Sequence, residues 1–340
     1  MADQFANKGN SVLLISMTCE TVNRPQSAKV EVAELNMTKT PLGFINAYRQ
    51  TRRLIKQFKP DVVHSHMVHA NLFARMLRVT TQIKKLICTA HSSNEGGRLR
   101  MLAYSSTDHL CDISTNVSQE AVDISVKRGA SPASRIIAMH NGIDTERFSF
   151  NSECRSFLRK QLNLEDNMPL ILAVGRLTAA KDYPNLLNAF SLLPADLNHA
   201  QLAIIGTGEQ QAKIEALTAQ LGLTERVHFL GLQHNVHEWM SAADIYVISS
   251  AWEGMPLVLL EAMACERIVV ATDCGGVKEV LGDCGILVPA KNIPALTQGL
   301  QQCLALNSDA AKVQGEAARS RVVEKYSLTA QADKWLRLYQ

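Results

Sequence analysis

With 340 residues, 46% of them hydrophobic and 20% charged, the chain has a globular composition and length enough for two domains of ordinary size. Aromatic residues make up only 5%, which argues against a stacking-rich nucleic-acid surface, and no apolar run approaches the roughly 20 residues of a membrane span. The net charge of +3 conceals an asymmetry: residues 1–150 hold 19 Lys/Arg and 12 Asp/Glu, the remainder 16 and 20.

The basic excess peaks between Lys39 and Arg100, where 12 cationic residues face only Asp61 and Glu95. Such a patch suits an anionic partner, either lipid headgroups or phosphate; the alternative is a solvated helix face. The first residues do not read as a signal peptide. Eight cysteines, at 19, 88, 111, 154, 265, 274, 284 and 303, show no C-x-x-C pair and no metal-ligand rhythm. They are expected to be reduced thiols of a cytosolic protein.

Strand and helix patterns alternate along the chain. Ser11 to Ser16 reads as a buried strand, Ile45 to Phe58 as a basic amphipathic helix, and Asp61 to His64 as a short strand. Asn71 to Val79 reads as a helix, Lys85 to Ala90 as a strand, and Ile136 to His140 as the last strand of this half. A second series follows at Leu170 to Val174, Gln201 to Ile205, Val227 to Leu230, Asp244 to Ser249 and Ile268 to Ala271. Short apolar runs separated by helices predict parallel sheets covered on both faces. The polar stretch Ser149 to Pro169 breaks the rhythm after the turn cluster Asn141 to Asp144. The expected architecture is α/β: two doubly wound, Rossmann-like domains, 1–150 and 151–326, facing a cleft. Ligands are then sought just beyond the carboxyl ends of strands.

The densest chemistry lies between Asp244 and Ala264. It reads strand, loop, helix, with Glu253, Gly254, Met255, Pro256 and Leu257 on the loop and Glu261 about one turn into the helix. Pro256 suits the first helical position, and the amides of residues 257 to 259 would then meet an anion with the positive end of the helix dipole. Two carboxylates beside an anion site fit a ligand that also carries hydroxyls. A nucleotide sugar is such a ligand. The alternative for either glutamate alone is an early-helix acid favoured by the dipole. After the first strand of the same half come Gly175, Arg176 and Lys181. The glycine permits a close turn, and the two cations can converge on one anion. Gly206 and Gly208 form a second strand-to-helix turn, a weak signal by itself. The Asp273 to Glu279 segment, with Gly275 and Gly276, is similar. In the first half His91 ends a strand, as a structural residue or one facing ligand. His64 and His66 share a strand face, but no further ligand completes a metal site.

Together these segments resemble the retaining, GT-B-fold nucleotide-sugar glycosyltransferases of family 4, over nearly the whole chain. The specific marks are Glu253 and Glu261 with Gly254 and Pro256 between them, Gly175-Arg176 followed by Lys181, and Asn141 to Asp144 before the linker. The resemblance implies that Glu253 contacts the donor sugar and that Glu261 holds the ribose hydroxyls. It implies that Arg176 and Lys181 hold the diphosphate, that His91 lies against the donor sugar, and that Gly206 to Gly208 line the nucleotide pocket. It further implies a last helix, 327–340, crossing back to the first domain, and no need for a metal or other cofactor. Family members usually open with a strand and a glycine-rich loop. Here residues 1–9 resemble the end of the first helix, so that strand and loop are expected to be missing.

The implied reaction transfers a hexose or N-acetylhexosamine, with retention, from a donor that is UDP-linked on this reading. The implied acceptor is a lipid-diphosphate (undecaprenyl-diphosphate) saccharide of surface polysaccharide synthesis, of the O-antigen type. The basic stretch 39–100 would then hold the protein to the cytoplasmic face of the inner membrane. Two other readings stay open: a sugar-nucleotide epimerase of the same fold, and a non-catalytic nucleotide-sugar-binding module.

Overall fold

The computed structural model describes residues 1–18, 21, 24–92, 97–165 and 168–340; Cys19 and Glu95 lie outside the described residues. The chain divides into two compact units, residues 1–142 with 328–340, and residues 143–327.

The first unit begins with α1 (Ala2–Asn7), β1 (Val12–Ser16), β2 (Val30–Glu34), α2 (Pro41–Phe58), β3 (Val62–His66) and α3 (Val68–Thr80). It continues with β4 (Lys85–Ala90), α4 (Arg98–Thr107), β5 (Ile113–Asn116), α5 (Gln119–Lys127) and β6 (Ile136–Ala138). All of its strand pairs are parallel, in one ladder β1-β2 and another β3-β4-β5-β6. Sequence periodicity missed β2, whose Glu31 and Glu34 mask its apolar face, and β5, which is short and polar.

Helix α2 starts earlier than its apolar pattern suggests, because the Thr40 hydroxyl accepts from the Gly43 amide and Pro41 pre-sets the first turn. It buries Ala47, Thr51 and Ile55 and packs Phe44 and Tyr48 edge-on against Phe73 of α3. The apolar side of this amphipathic helix is therefore mostly turned inward, with Leu42 and Ile45 left exposed. The basic stretch is not all surface: Arg75, one of its 12 cations, is only 1% exposed and packs inside α3 and α4. Arg78 pairs with Asp112, and Lys84 with Asp61.

The second unit runs α6 (Ser152–Gln161), β7 (Leu170–Val174), α7 (Tyr183–Ser191), β8 (Gln201–Ile205), α8 (Gln211–Gln220), β9 (Val227–Gly231), α9 (Val236–Ala242) and β10 (Ile245–Ile248). It closes with α10 (Leu257–Ala264), β11 (Ile268–Asp273), α11 (Val277–Leu281), β12 (Ile286–Pro289), α12 (Ile293–Leu304) and α13 (Ser308–Tyr326). Its six strands form one parallel sheet in the order β12-β11-β10-β7-β8-β9. Leu170, Ile171, Leu172, Leu202, Ala203 and Ile204 have no exposed surface, as strands covered on both faces require. Asp244, at the head of the densest motif, has a structural task. It accepts from Arg155 at 2.6 Å, Arg159 at 3.2 Å and the Leu170 amide at 2.8 Å, tying α6 to β7 and β10.

Buried Ile143 makes a parallel bridge to Ser327, so the chain enters and leaves this unit at adjacent points. The last helix, α14 (Leu328–Tyr339), belongs to the first unit. It packs on α1, and its Tyr339 hydroxyl lies 2.7 Å from His64 Nδ1.

Candidate functional site

The sheet of the second unit reverses its winding between β7 and β10. From β7 the chain moves outward through β8 and β9, then returns to the other side of β7 as β10 and proceeds to β11 and β12. The loops after β7 and β10 thus leave neighbouring strand ends in opposite directions, which opens a crevice at the carboxyl edge. Four of the segments singled out from sequence leave this edge: 175–182, 206–209, 249–256 and 273–276.

At the centre, Lys181 Nζ donates to Glu253 Oε1 across 2.6 Å, joining the β7 and β10 loops. Both side chains are largely shielded, at 21% and 12% exposure, so the pair keeps its position better than a surface pair would. Ser250 Oγ donates to the same Oε1 at 2.6 Å, while Oε2 has no hydrogen-bond partner among the described residues. Ser249 Oγ donates to the Lys181 carbonyl at 2.8 Å, and the Ala251 amide to the Ala180 carbonyl at 2.8 Å. Sequence reasoning missed both serines. Hydroxyls at a strand end carry no signal until the partner loop is known.

Three glycines act as spacers for these loops. A Cβ on Gly206 would stand 2.0 Å from the Gly175 carbonyl oxygen, and one on Gly208 2.4 Å from that of Leu177. Gly275, at φ +57°, has the Glu253 carbonyl where a side chain would be, at 2.3 Å, and the Gly276 amide donates to the Gly254 carbonyl at 2.7 Å. The Gly275–Gly276 turn, a weak signal in sequence, is thus the support beneath the Glu253 loop. Tyr183, buried at 2% exposure, donates to the Gly175 carbonyl at 3.0 Å. Burial, with Glu253 nearby, raises its phenol above the usual range, so it stays a donor.

Helix α10 begins at Leu257, with Pro256 at the capping position rather than inside the first turn. The Leu259 amide already donates to the Pro256 carbonyl at 3.1 Å. The anion-facing set therefore shrinks from three amides to those of Leu257 and Val258, at the positive end of the helix. Buried Met255 and Pro256 anchor this end. Glu261 lies one turn further in, half-buried, and burial pushes its carboxyl up to about 7 while the charge of Arg147 opposes the shift. Arg147, from the segment after Ile143, was not singled out in the sequence. Arg176 stays exposed on the β7 loop, without an ion pair to the described residues.

In the first unit His91 sits exposed at the end of β4, its Nε2 3.0 Å from Nδ1 of His66 at the end of β3. Between them and α14, His64 Nε2 meets Thr89 Oγ1 at 2.6 Å and its ring lies 4.4 Å from the Trp335 ring. Burial, followed by the neighbouring His66 and His91, holds the His64 pKa well below the ordinary imidazole range. Among the described residues no group of three or more His, Cys, Asp or Glu is placed to hold a metal ion. Nor is any helix among them long and apolar enough to cross a membrane.

The arrangement in the second unit offers an anion two cations and a helix N-terminus, and offers hydroxyls two carboxylates. Comparison with known proteins agrees in kind. Residues 1–147 match the family profile described as Glycosyltransferase Family 4, and residues 155–321 that of Glycosyl transferases group 1. A Campylobacter jejuni enzyme named N-acetylgalactosamine-N,N'-diacetylbacillosaminyl-diphospho-undecaprenol 4-alpha-N-acetylgalactosaminyltransferase is 31% identical over 202 residues, 58% of this chain and 52% of that one. Among solved structures, a glycosyltransferase from Rickettsia africae superposes with a TM-score of 0.87 at 22% identity, over 99% of this chain and 92% of the other. HepE from Anabaena, in complex with UDP and glucose, superposes with a TM-score of 0.80 at 18% identity, over 99% and 94%.

Proposed function

Because this chain belongs to the family 4 (group 1) glycosyltransferases, we propose that it moves a hexose or N-acetylhexosamine from a UDP-linked donor to a lipid-diphosphate-linked saccharide, with retention of configuration. The observation that carries the donor half is the meeting of Lys181, Glu253 and the α10 N-terminus at the point where the sheet reverses. Lys181, Arg176 and the α10 amides take the diphosphate and stabilise the charge that grows on it as the glycosidic bond breaks. Glu253 has one oxygen held by Lys181 and Ser250 and offers the other to a sugar hydroxyl. Glu261 accepts the ribose hydroxyls, and the glycine turns Gly175, Gly206–Gly208 and Gly254 let the backbone approach the nucleotide. The acceptor reading is supported by the named activity of the Campylobacter relative and by the basic face of α2.

The decisive experiment supplies UDP-sugars with and without lipid-diphosphate-linked saccharide and follows UDP release. Release that requires the acceptor, and that survives EDTA, is expected, since two cations and a helix end already meet the diphosphate charge. Consumption of donor without acceptor would instead favour an epimerase. Binding without turnover would favour a nucleotide-sugar-binding module.

Glu261 gives the donor site a pH dependence with a definite sign. Only the ionised carboxylate accepts two hydroxyls, and its pKa stands near 7. Affinity for a UDP-sugar, whose diphosphate does not titrate here, should rise about tenfold from about pH 6 to about pH 8. Without ligand the linkage runs the other way. The folded pKa is above the unfolded value, so Glu261 adds stability in acid that is lost as pH rises through about 7. Calorimetry across this range on the native protein and Glu261→Gln checks both. A variant that keeps the native slope would remove Glu261 from the ribose.

We also propose that α2 attaches the protein to anionic membrane. Arg49, Arg52, Arg53 and Lys56 recur at three- and four-residue spacing and are all exposed. A groove of about 310 Å³, lined by Phe44, Ile45, Tyr48, Arg49, Arg52 and Met76, places apolar surface beside two of these cations. Each basic residue near an anionic surface contributes about 1 kcal/mol, so four together give reversible, salt-sensitive binding. Sedimentation with anionic vesicles is expected to fall by about an order of magnitude or more in Arg52→Glu/Arg53→Glu and at high salt. Equal partitioning onto neutral vesicles would overturn the attachment.

A further inference from the structure

We infer that the first unit holds an anion site of its own, for a single phosphate-sized oxyanion, in a pocket between α3, α4 and the end of α5. The pocket has a volume of about 30 Å³, room for one small ion, and among the described residues its lining contains no aspartate or glutamate. Asn71, Arg75, Tyr104, Ser114, Arg128 and Ser131 supply most of its polar groups. Arg75 lies deep in it at 1% exposure. Its Nη1 donates to the Tyr104 carbonyl at 2.9 Å and to Thr107 at 3.0 Å, and its Nη2 to Ser114 at 3.1 Å. Its Nε–H has no acceptor among the described residues, and neither has the hydroxyl of Ser131, itself 5% exposed. Buried donors of this kind are ordinarily satisfied.

Charge balance points the same way. Among the described residues the carboxylate nearest Arg75 is Asp108, at 3.9 Å, and Asp108 sits closer to Arg135, at 2.8 Å. The guanidiniums of Arg75 and Arg135 thus share one acid. A buried guanidinium without full compensation is costly. A water molecule would satisfy Nε but leave that charge standing, whereas an oxyanion meets both needs. Arginine presents Nε and Nη2 as a side-on fork, matched to two oxygens of a phosphate.

The test uses the full chain with its donor site saturated by UDP, so that added phosphate cannot act there. Inorganic phosphate is titrated against chloride at equal ionic strength, read by calorimetry and by melting temperature. Phosphate is expected to bind and stabilise where chloride does not. Its affinity should fall about tenfold in Arg128→Gln and in Ser131→Ala, variants that leave Arg75 in place and the fold intact. Arg75→Lys, if it folds, should lose more. Methyl phosphate separates two sources: binding as tight as that of inorganic phosphate assigns the site to a phosphate carried on a larger ligand, weaker binding to the free ion. Phosphate affinity unchanged in both Arg128→Gln and Ser131→Ala would overturn the assignment and mark an adventitious ion only. Stabilisation equal to that by chloride would do the same. A chain that binds phosphate but not UDP would sink the donor reading and leave this site standing.

Discussion

Lys181→Ala is expected to lower kcat by about 10²–10³-fold, with a smaller loss of donor affinity. Its ammonium touches Glu253 before donor arrives, so part of its ground-state interaction with the diphosphate is offset by a bond already made. The charge is needed most when the glycosidic bond has broken and the leaving diphosphate carries its full negative load. Removing it also frees Glu253 to swing away from Ser250. Lys181→Arg tests the difference between charge and position. The longer planar fork should restore part of the affinity and little of the rate, because the lysine stem lies over Gly175, where even an added Cβ would meet Lys181 Cε at 2.8 Å. Steady-state kinetics with a UDP-sugar decide the matter. An unchanged kcat in Lys181→Ala removes the lysine from the reaction.

Gly206→Ala should be the most damaging single-methyl change in the donor site. Gly206 has φ +139°, a conformation that L side chains rarely adopt, and the added Cβ would be 2.0 Å from the Gly175 carbonyl oxygen. Backbone strain and overpacking each cost about 1–3 kcal/mol, and here they coincide. A destabilisation of about 3 kcal/mol or more lowers the melting temperature of a unit of this size by roughly 6–12 °C. The stress falls on the β7 and β8 turns together, because the Gly206 amide is bonded to Gly231 and the Gly175 amide to Ile205. Nucleotide affinity should therefore fall even at temperatures where the variant remains folded. Gly129→Ala is a useful control: it too has positive φ, but nothing stands within 4 Å of its Cβ, so it should carry the backbone term alone. Similar melting temperatures for the two variants would refute the close-approach argument.

Much of this protein was written locally in its sequence. The alternation of short apolar runs with helices specifies parallel, two-sided sheets, because a strand buried on both faces has no polar alternation. The spacing of Glu253 and Glu261, and of Gly175, Arg176 and Lys181, places their charges at strand ends and one turn into a helix, which needs no knowledge of the rest of the chain. What neighbours what was decided only by the tertiary structure. The sheet order sets β7 beside β10 and so brings Lys181 to Glu253, although strand pairing over such separations has no local signature. Ser249, Ser250, Gly275 and Arg147 gain their tasks from loops that are distant in sequence. Arg75 is the plainest case. Helical spacing gives the row a cation belongs to, but not whether another helix covers that row, and α4 does cover it.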